Sequence, residues 1–249
     1  MEKTKILPIN EIYSCIQGES KYAGRPHFLI RFVGCRLRCQ FKGSFCDTSL
    51  NSWKPEKGKF TLNDIEELID SNPQIKYVMV TGGGPTLSAE ALQAVCDLCH
   101  SKNLFITIET EGSEFVATSA DFISLSPKLS NSVPRFGDLN PYTDQVVKES
   151  HIEQHNKWRE NYSEMKKMIE FHPDYGLKFV VSEESDLEEI KKVQEILGAP
   201  NHKVWLMPEG VTDEQLQKKR QFLMEFCVKE GFNYSDRLHV IAFGDKRGV

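Results

Sequence analysis

Short apolar runs that alternate with helix-like segments constrain the fold of this chain more than any other feature of its sequence. The runs are rich in apolar and β-branched residues and are bounded by polar residues, glycine or proline, which is typical of β-strands. These strand candidates are Phe28–Val33, Tyr77–Thr81, Leu104–Glu109, Asp121–Leu125, Leu177–Val181, Val204–Leu206 and Leu238–Phe243. Helices are predicted between them, and parallel strands need such crossover connections. The sequence therefore predicts an α/β fold with a parallel sheet, whose ligands would collect at the carboxyl ends of the strands.

Helix start signals and helix-forming segments fill the gaps between the strand candidates. Thr61, Ser185 and Thr212 each stand three residues before an acidic residue or a glutamine, which is the spacing of a capping box. Good helix formers are concentrated from Ser88 to His100, and a longer helical stretch is expected over Gln145–Phe171. No internal repeat or flexible linker divides the chain, so we expect a single domain.

Composition and charge exclude several classes of protein. The 249 residues include 39% hydrophobic and 27% charged residues, an ordinary globular mixture that allows a sizeable core. With 31 lysines and arginines against 36 acidic residues, the net charge of −5 disfavours broad binding to nucleic acid. No apolar run is long enough to span a membrane and the first residues lack the apolar core of a signal peptide, so we expect a cytoplasmic protein. In that compartment the seven cysteines are expected as thiols or metal ligands.

Three cysteines lie close together directly after the first strand candidate, at Cys35, Cys39 and Cys46. The charged and polar residues between them make this loop a poor core segment, so a metal site is favoured. Zinc in a closed structural site takes four ligands, and no fourth cysteine or histidine follows at a standard zinc spacing. An iron–sulfur cluster also uses cysteine thiolates, and three of them would leave one iron of a four-iron cluster open to a small molecule. Both chemistries remain open from the spacing alone, with the cluster favoured.

The loop resembles the Cys-x3-Cys-x2-Cys motif of radical S-adenosylmethionine enzymes, with six residues in the second gap. Within that superfamily the chain resembles the 7-carboxy-7-deazaguanine synthase family, from about residue 11 to the last residue. The matching stretches are Glu11–Glu19, Ala23–Pro26, Arg31–Cys35, Cys46–Thr48, Thr81–Pro85, Ile108–Gly112, Ser126–Lys128, Leu177–Val181, Leu238–His239 and Asp245–Val249. The resemblance implies a single radical S-adenosylmethionine domain, built as an open, partial parallel β/α barrel. Its cluster loop would span residues 34–48, and a C-terminal segment, residues 237–249, would close the active site.

The resemblance also implies the reaction. Enzymes of this family convert 6-carboxy-5,6,7,8-tetrahydropterin to 7-carboxy-7-deazaguanine with loss of ammonia, in queuosine and deazapurine biosynthesis. The implied cofactors are a [4Fe-4S] cluster, S-adenosylmethionine and Mg²⁺. The implied partners are a flavodoxin- or ferredoxin-type electron donor and a second copy of the chain in a homodimer. Two other functions share the cysteine loop: activation of a glycyl-radical partner protein, and non-catalytic zinc binding.

Site residues follow from the same resemblance, although no residue is assigned as a catalytic acid or base. The cluster ligands would be Cys35, Cys39 and Cys46, and the Mg²⁺ ligand would be Thr48. The residues expected to bind S-adenosylmethionine are Phe45, Asp47, Gly83, Ser126, Pro127, Lys128, Met207, Pro208 and Glu209. The residues expected to bind the pterin are Ile16, Gln17, Gly18, Glu19, Arg31, Thr81, His239 and Val249.

Arg31 is a charged residue within a strand candidate. It lies in the otherwise apolar run Phe28–Phe32, and burying a guanidinium without a partner is costly, so an anion is expected beside it. That anion is either a protein carboxylate or, following the resemblance, the carboxylate of the substrate. By the same reasoning Lys178, in a comparable strand, is either a satisfied core lysine or an active-site contact.

The chain departs from the family pattern at two places. The second gap of the cysteine loop is four residues longer, over about Gln40–Ser44, and Gly84 stands where the family motif Gly-Gly-Glu-Pro has glutamate. The remaining cysteines are simpler to interpret. Cys96, Cys99 and Cys227 lie on predicted helices and are expected to be core thiols.

Overall fold

An eight-stranded sheet forms the centre of the protein. The computed structural model describes residues 2–42, 44–244 and 246–248. The strands of the main sheet are β1 (Ile9–Ile16), β2 (Pro26–Phe32), β3 (Tyr77–Gly82), β4 (Phe105–Thr110), β5 (Phe122–Leu125), β8 (Tyr175–Val181), β9 (Val204–Pro208) and β10 (Asn233–Tyr234). A separate small hairpin consists of β6 (Leu139–Asn140) and β7 (Gln145–Val146).

The strand order of the main sheet is β1-β2-β3-β4-β5-β8-β9-β10. The pairs from β2 to β10 are parallel, whereas β1 pairs with β2 in antiparallel orientation. Over the described ranges the sheet ends at β1 and β10 without closing, so the predicted open, partial parallel arrangement is confirmed. The six strand candidates between residues 28 and 206 are also confirmed.

Helices connect the parallel strands. They are α1 (Ser49–Ser52), α2 (Leu62–Asp70), α3 (Ala89–Ser101), α4 (Glu149–Arg159), α5 (Tyr162–Phe171), α6 (Asp186–Leu197), α7 (Asp213–Glu230) and α8 (Leu238–Phe243), with single 3-10 turns at Pro85–Ser88, Ser130–Ser132 and Asn201–Lys203. In the part of the chain that the structure describes, none of these helices has the length and apolarity to cross a bilayer.

Two of the three predicted capping boxes are present. Thr61 accepts a hydrogen bond from the backbone of Asp64 at 3.2 Å, and Thr212 accepts one from the backbone of Gln215 at 3.3 Å. Ser185 makes no side-chain cap bond. The next residue, Asp186, instead accepts a hydrogen bond from the backbone N–H of Ser182 at 2.7 Å, so its carboxylate fixes the turn that leads into α6.

Two sequence predictions were wrong about the type or extent of an element. Leu238–Phe243 forms helix α8 rather than a strand, because the place beside β9 is taken by β10, and a short apolar run fits either structure. The expected helix over Gln145–Phe171 is divided: Gln145–Val146 is strand β7, and α4 and α5 are separated at Glu160–Asn161. The Asn161 side chain donates to the Ser113 carbonyl at 2.9 Å, which fixes the chain where the first helix ends.

The two faces of the strands have different roles. Side chains alternate along a strand, so Phe28, Ile30 and Phe32 of β2 lie in the hydrophobic core while Leu29 and Arg31 line a cavity on the other face. The neighbouring strands repeat this alternation. Their core residues include Val78, Val80, Ile106, Ile108, Leu177 and Phe179, and their cavity residues include Met79, Thr81, Glu109, Lys178 and Val180. One face of the sheet therefore stabilises the fold, and the other forms the wall of a site.

Candidate active site

A cavity of about 540 Å³ opens at the carboxyl ends of the parallel strands. Its volume is in the range of pockets that hold a cofactor or a small substrate. Cys35, Cys39 and Cys46 line one part of its wall, and a network of charged side chains centred on Lys178 lines another. The cavity therefore brings together the cysteine loop and the strand residues that the sequence singled out separately.

A hairpin accommodates the extra residues of the cysteine loop. Gln40 and Phe45 pair as an isolated antiparallel bridge, and the backbone N–H of Cys46 donates to the carbonyl of Cys39 at 3.1 Å. The additional residues extend beyond this bridge, and one of them, Gly43, lies outside the described residues. The longer gap therefore leaves Cys39 and Cys46 adjacent across the base of the hairpin.

Contacts from other elements fix this hairpin in place. The indole N–H of Trp53 donates to the Cys39 carbonyl at 3.1 Å, and the ring of Trp53 packs edge-on against that of Phe45, with 5.4 Å between centroids. At the other side of the hairpin, the Ser44 hydroxyl donates to Glu209 Oε1 at 2.7 Å. Contacts within the polypeptide thus hold the loop in a defined conformation.

Removing residues 41–44 should leave cluster binding intact. Gln40 would then join Phe45, which already faces it across the bridge, because paired strand residues have Cα atoms only about 5 Å apart. The variant has the two-residue gap of the superfamily motif, and its iron and sulfide content after anaerobic reconstitution should stay within about a fifth of the unmodified protein. Ser44→Ala serves as the control, since it removes the contact to Glu209 without shortening the loop. A deletion variant that loads less than half the iron, beside a fully loaded control, would show that the hairpin itself is required.

The three loop cysteines are suited to a metal cluster. Burial raises the pKa of each thiol, and the charges of the neighbouring thiolates add to the rise for Cys35 and Cys39. Ionised thiolates at these positions therefore need a compensating positive charge. Lys128 supplies only part of that charge, since it lowers the pKa of Cys39 alone among the three. Among the described residues, no group of three or more His, Cys, Asp or Glu side chains gathers around one point as the ligands of a single ion would. Cysteine thiolates are the usual ligands of a [4Fe-4S] cluster, so the donor chemistry of the three residues fits that group.

His155 of α4 is a structural support of the cysteine loop that the sequence did not reveal. The backbone N–H of Arg38 donates to its Nδ1 atom at 3.1 Å, and its Nε2 atom lies 3.1 Å from the Ser132 hydroxyl. Burial lowers the pKa of His155 to about 3, and the positive charges of Arg159, Lys128 and Arg38 act in the same direction. The imidazole is therefore neutral at physiological pH and accepts a bond from the loop backbone.

His155 should make the stability of the folded chain depend on pH between 7 and 5. The folded-state pKa is about 3 and the unfolded one about 6.5, so protons bind preferentially to the unfolded chain as the pH falls. Stability present at pH 7 should fall by about 2 kcal/mol at pH 5 through this group alone. Urea unfolding of metal-free protein at both pH values, compared with His155→Asn, which keeps an acceptor for the Arg38 N–H, measures the difference. Equal losses in the two proteins would contradict the assignment.

A glycine turn at the end of β3 packs directly on the start of the cysteine loop. The backbone N–H of Gly84 donates to the Gly34 carbonyl at 2.7 Å, and any side chain on Gly83 would overlap that same carbonyl. Only glycine permits this approach at position 83. The turn thus places backbone groups at the cavity, beside the cysteines.

Most residues that the sequence assigned to S-adenosylmethionine lie at the cavity wall. Those lining it are Phe45, Asp47, Gly83, Ser126, Lys128, Met207, Pro208 and Glu209. Pro127 is the exception: it is buried but does not line the cavity, because it alternates with Ser126 and Lys128, which do. Lys128 Nζ donates to the Ser126 carbonyl at 2.8 Å and to its hydroxyl at 2.7 Å.

The residues assigned to the substrate also lie together. Ile16, Gln17, Gly18, Glu19, Arg31, Thr81 and His239 line the cavity, and Val249 lies outside the described residues. At their centre, buried Lys178 donates to both Glu19 and Glu109, and the Thr81 hydroxyl donates to Glu109 at 3.2 Å. Lys178 is therefore both a satisfied core lysine and a residue of the cavity wall.

Arg237 connects this network to the cysteine loop. Its guanidinium pairs with Glu19 at 2.9 Å and with Asp47, which follows Cys46 in the sequence. Burial alone would raise the pKa of Glu19, but the positive charges of Lys178, Arg237 and His239 hold that pKa well below its usual range. The side chain of Asp47 is 41% exposed at the cavity wall; desolvation there opposes its ionisation, but the charge of Arg237 outweighs it and lowers the pKa. Both carboxylates are therefore ionised.

Arg31 has a protein carboxylate as its partner. It donates to Glu11, and one of its terminal nitrogens lies 3.4 Å from the Tyr13 hydroxyl. Glu11 also pairs with Arg247 of the C-terminal segment, so this carboxylate is shared between the sheet and that segment. The geometry bears out the simpler expectation for Arg31 and leaves its guanidinium at the cavity wall.

His239 and Thr48 complete the predicted set. His239 belongs to helix α8 and packs against Gly18, where any side chain would overlap its ring. Burial lowers the pKa of His239. Thr48 does not cap the following helix with its side chain, contrary to the simpler interpretation; its hydroxyl lies 3.3 Å from the Cys46 sulfur and lines the cavity.

Glu109, Glu111 and Arg237 line the cavity but were not among the predicted site residues. The two glutamates had a visible signal, since Glu109 lies at the end of β4 and Glu111 follows that strand directly, at the end of the sheet where ligands collect. Arg237 had none, because its partners Glu19 and Asp47 are far from it in sequence.

The core interpretation of Cys96, Cys99 and Cys227 is confirmed, since all three are buried within the hydrophobic core. Burial raises the pKa of each of these thiols. They therefore form no part of the site.

Comparison with known proteins identifies the family. No family model matches the chain. The 7-carboxy-7-deazaguanine synthase of Rhodopirellula baltica is 35% identical over 243 residues, which cover 98% of this chain and 89% of the relative. The protein of the same name from Halobacterium salinarum is 32% identical, covering 96% of this chain and 91% of the relative. The crystal structure of QueE from Escherichia coli has a TM-score of 0.60 at 20% identity, covering 93% of this chain and 94% of that one, so the two share a fold. By sequence, the chain belongs to the 7-carboxy-7-deazaguanine synthase family.

Proposed function

We propose that this chain is a radical S-adenosylmethionine enzyme that converts 6-carboxy-5,6,7,8-tetrahydropterin to 7-carboxy-7-deazaguanine with loss of ammonia. Membership of the family supports the reaction. The observation that carries the proposal is the single cavity in which three cysteines and a buried charged network face one another. A cofactor and a small substrate can therefore meet in one space.

The two cofactors of the superfamily match the residues at one side of the cavity. Cys35, Cys39 and Cys46 would hold a [4Fe-4S] cluster, and the glycine turn at Gly83 with Ser126 would hold S-adenosylmethionine beside it. When bound, these groups supply the 5′-deoxyadenosyl radical that the reaction needs. The buried amide oxygen Oδ1 of Asn51 has no hydrogen-bond partner among the described residues, and it belongs to a residue that lines the same cavity. An unpartnered buried acceptor is costly, so a ligand donor is expected there.

The charged network is suited to a pterin. The aminopyrimidine edge of a pterin presents N–H donors, and the carboxylates of Glu19 and Glu109 are acceptors on the cavity wall. Arg31 would bind the substrate carboxylate, because its planar guanidinium matches that group. Gln17, Gly18 and His239 would enclose the ring. These residues would bind and orient the substrate, and the C-terminal segment that contains Arg247 would cover it.

Mg²⁺ is the third proposed cofactor, with Thr48 as its protein ligand. The Thr48 hydroxyl lies at the cavity wall, next to the carboxylate of Asp47. Magnesium prefers oxygen ligands and usually takes the remainder from substrate and water. A substrate carboxylate between Thr48 and Arg31 would complete such a site.

The reaction can be tested directly. Anaerobically reconstituted protein, incubated with S-adenosylmethionine, a low-potential reductant, Mg²⁺ and the tetrahydropterin, should yield 7-carboxy-7-deazaguanine, detected by mass, and one ammonia per product. Protein that cleaves S-adenosylmethionine but returns the tetrahydropterin unchanged would contradict the proposed substrate. Omitting Mg²⁺ should lower the turnover and would test that cofactor separately.

The remaining partners follow from the same proposal. The protein would work in the cytoplasm as a homodimer that receives electrons from a flavodoxin- or ferredoxin-type donor. Sedimentation analysis of the loaded protein tests the dimer, and support of turnover by purified flavodoxin or ferredoxin tests the donor.

A further inference from the structure

Glu111 is a buried carboxylate that faces the cavity without a cation. It follows strand β4, is 5% exposed and lines the cavity wall. Its oxygens accept hydrogen bonds from the Ser113 hydroxyl at 2.6 Å and the Thr110 hydroxyl at 3.4 Å. In the described parts of the chain, no lysine, arginine or histidine forms an ion pair with it, unlike Glu19 and Glu109. A buried carboxylate with only neutral partners is costly, so a positively polarised ligand group is expected beside it.

The position of that carboxylate depends on Gly84. A Cβ atom built on Gly84 would lie 2.7 Å from Glu111 Oε1, 3.0 Å from Oε2 and 3.2 Å from the carboxyl carbon. Gly84 has an extended φ of −139°, which any residue adopts, so no backbone requirement explains the glycine. Its role is to leave space, and the carboxylate of Glu111 occupies that space.

The same carboxylate lies close to the cluster cysteines. Glu111 lines the same cavity as Cys35 and Cys39, and its carboxylate lies against Gly84. The Gly84 backbone is bonded to the start of the cysteine loop at Gly34. A ligand seated at the cluster would therefore have Glu111 within its reach.

We propose that Glu111, in the space left by Gly84, accepts a hydrogen bond from the methionyl amino group of S-adenosylmethionine. This inference rests on the proposed function only for the identity of the cofactor. S-adenosylmethionine offers two electron-poor groups, the amino group and the sulfonium. The amino group matches better, because a carboxylate that accepts from an N–H gains a directional, charge-assisted bond. Glu111 is thus a positioning residue for the cofactor, and residues 84 and 111 act as a pair.

The test compares ligands that differ in these two groups. Equilibrium dialysis of the reconstituted protein without reductant would measure S-adenosylmethionine, S-adenosylhomocysteine, which keeps the amino group but has a neutral sulfur, and 5′-methylthioadenosine, which lacks the amino acid. Glu111→Gln should weaken the first two by about 10- to 100-fold, as expected for a hydrogen bond to a charged group, and change the third less than about twofold. Glu90→Gln, which alters an exposed glutamate of α3, is the control and should change none of them.

A paired substitution keeps the test decisive if Glu111→Gln binds less iron. Gly84→Glu alone should weaken binding of S-adenosylmethionine and lower the melting temperature, because the new side chain meets the Glu111 carboxylate. Combined with Glu111→Ala, it should restore affinity to within about threefold of the original protein. Unchanged affinity in Glu111→Gln with the cluster present, loss for S-adenosylmethionine but not for S-adenosylhomocysteine, or failure of the combined variant to recover would each overturn the inference. Protein that binds S-adenosylmethionine normally but makes no deazaguanine would overturn the proposed function instead.

Discussion

Cys39→Ala should abolish bound iron and deazaguanine formation while leaving the fold intact. Cys39 is buried at the base of the hairpin, and its backbone is held by the Trp53 indole and by Cys46, so the side chain can be removed without releasing the loop. Two remaining thiolates cannot hold a four-iron cluster against loss to solvent. We expect iron and sulfide below about a tenth of the original content after reconstitution, with a loss of about 1 kcal/mol in unfolding free energy from the small cavity.

Cys15→Ala is the matched control for this variant. Cys15 also lines the cavity but lies on β1, outside the cysteine loop, and burial raises the pKa of its thiol to about 11. The control should retain all its iron. A control that loses iron as well would mean that four cysteines hold the cluster and that no corner is open to S-adenosylmethionine. Zinc in the purified protein, with no iron uptake, would instead favour the non-catalytic zinc site.

Lys178→Met should destabilise the chain more than any surface substitution. Its side chain is 5% exposed and donates to Glu19 and Glu109, which are themselves largely buried. Removing the ammonium leaves two carboxylates with one fewer cation, although Arg237 still pairs with Glu19. Removing one partner of a buried ion pair costs about 3–5 kcal/mol. For a chain of this length that corresponds to a melting temperature lower by about 10 °C.

Two variants separate this effect from a general loss of charge. Lys192→Met breaks an exposed pair with Glu188 and should change stability by less than about 0.5 kcal/mol. Combining Lys178→Met with Glu109→Gln removes both members of one buried pair and should recover at least half of the loss. A double variant no more stable than the single one would show that Lys178 acts through packing rather than charge.

The sequence predicted well those features that depend on local pattern. The apolar runs that became β2, β3, β4, β5, β8 and β9 are buried on the core face and nearly continuous, so their identity does not depend on distant residues. Strand β1 was missed, because Ile9–Ile16 contains polar residues that face the cavity or solvent and so lacks an apolar run. Helix α8 was predicted as a strand, since nothing within its sequence shows that β10 already occupies the sheet edge.

The sequence singled out residues that line the cavity, but it did not reveal the contacts that join them. The cysteine spacing and the family motifs pointed to residues that line the cavity at the carboxyl ends of the strands. The ion pairs between Lys178 and Glu19, and between Arg237 and Asp47, join residues that are 159 and 190 positions apart. Only the folded chain shows these partners, and His155 behind the cysteine loop is hidden for the same reason.

The packing of Cys96, Cys99 and Cys227 inside the core divides the sulfhydryl groups of the folded chain into two populations. Iodoacetamide applied at alkaline pH to native, iron-free protein should react with the partly exposed Cys15, Cys35 and Cys46 and spare the buried thiols, and each reaction adds a fixed mass. Chains that carry a cluster would resist two of those additions, at Cys35 and Cys46. Intact-protein mass spectra would then give the fractions of loaded and empty molecules. Absorbance of the bulk sample gives only the average loading.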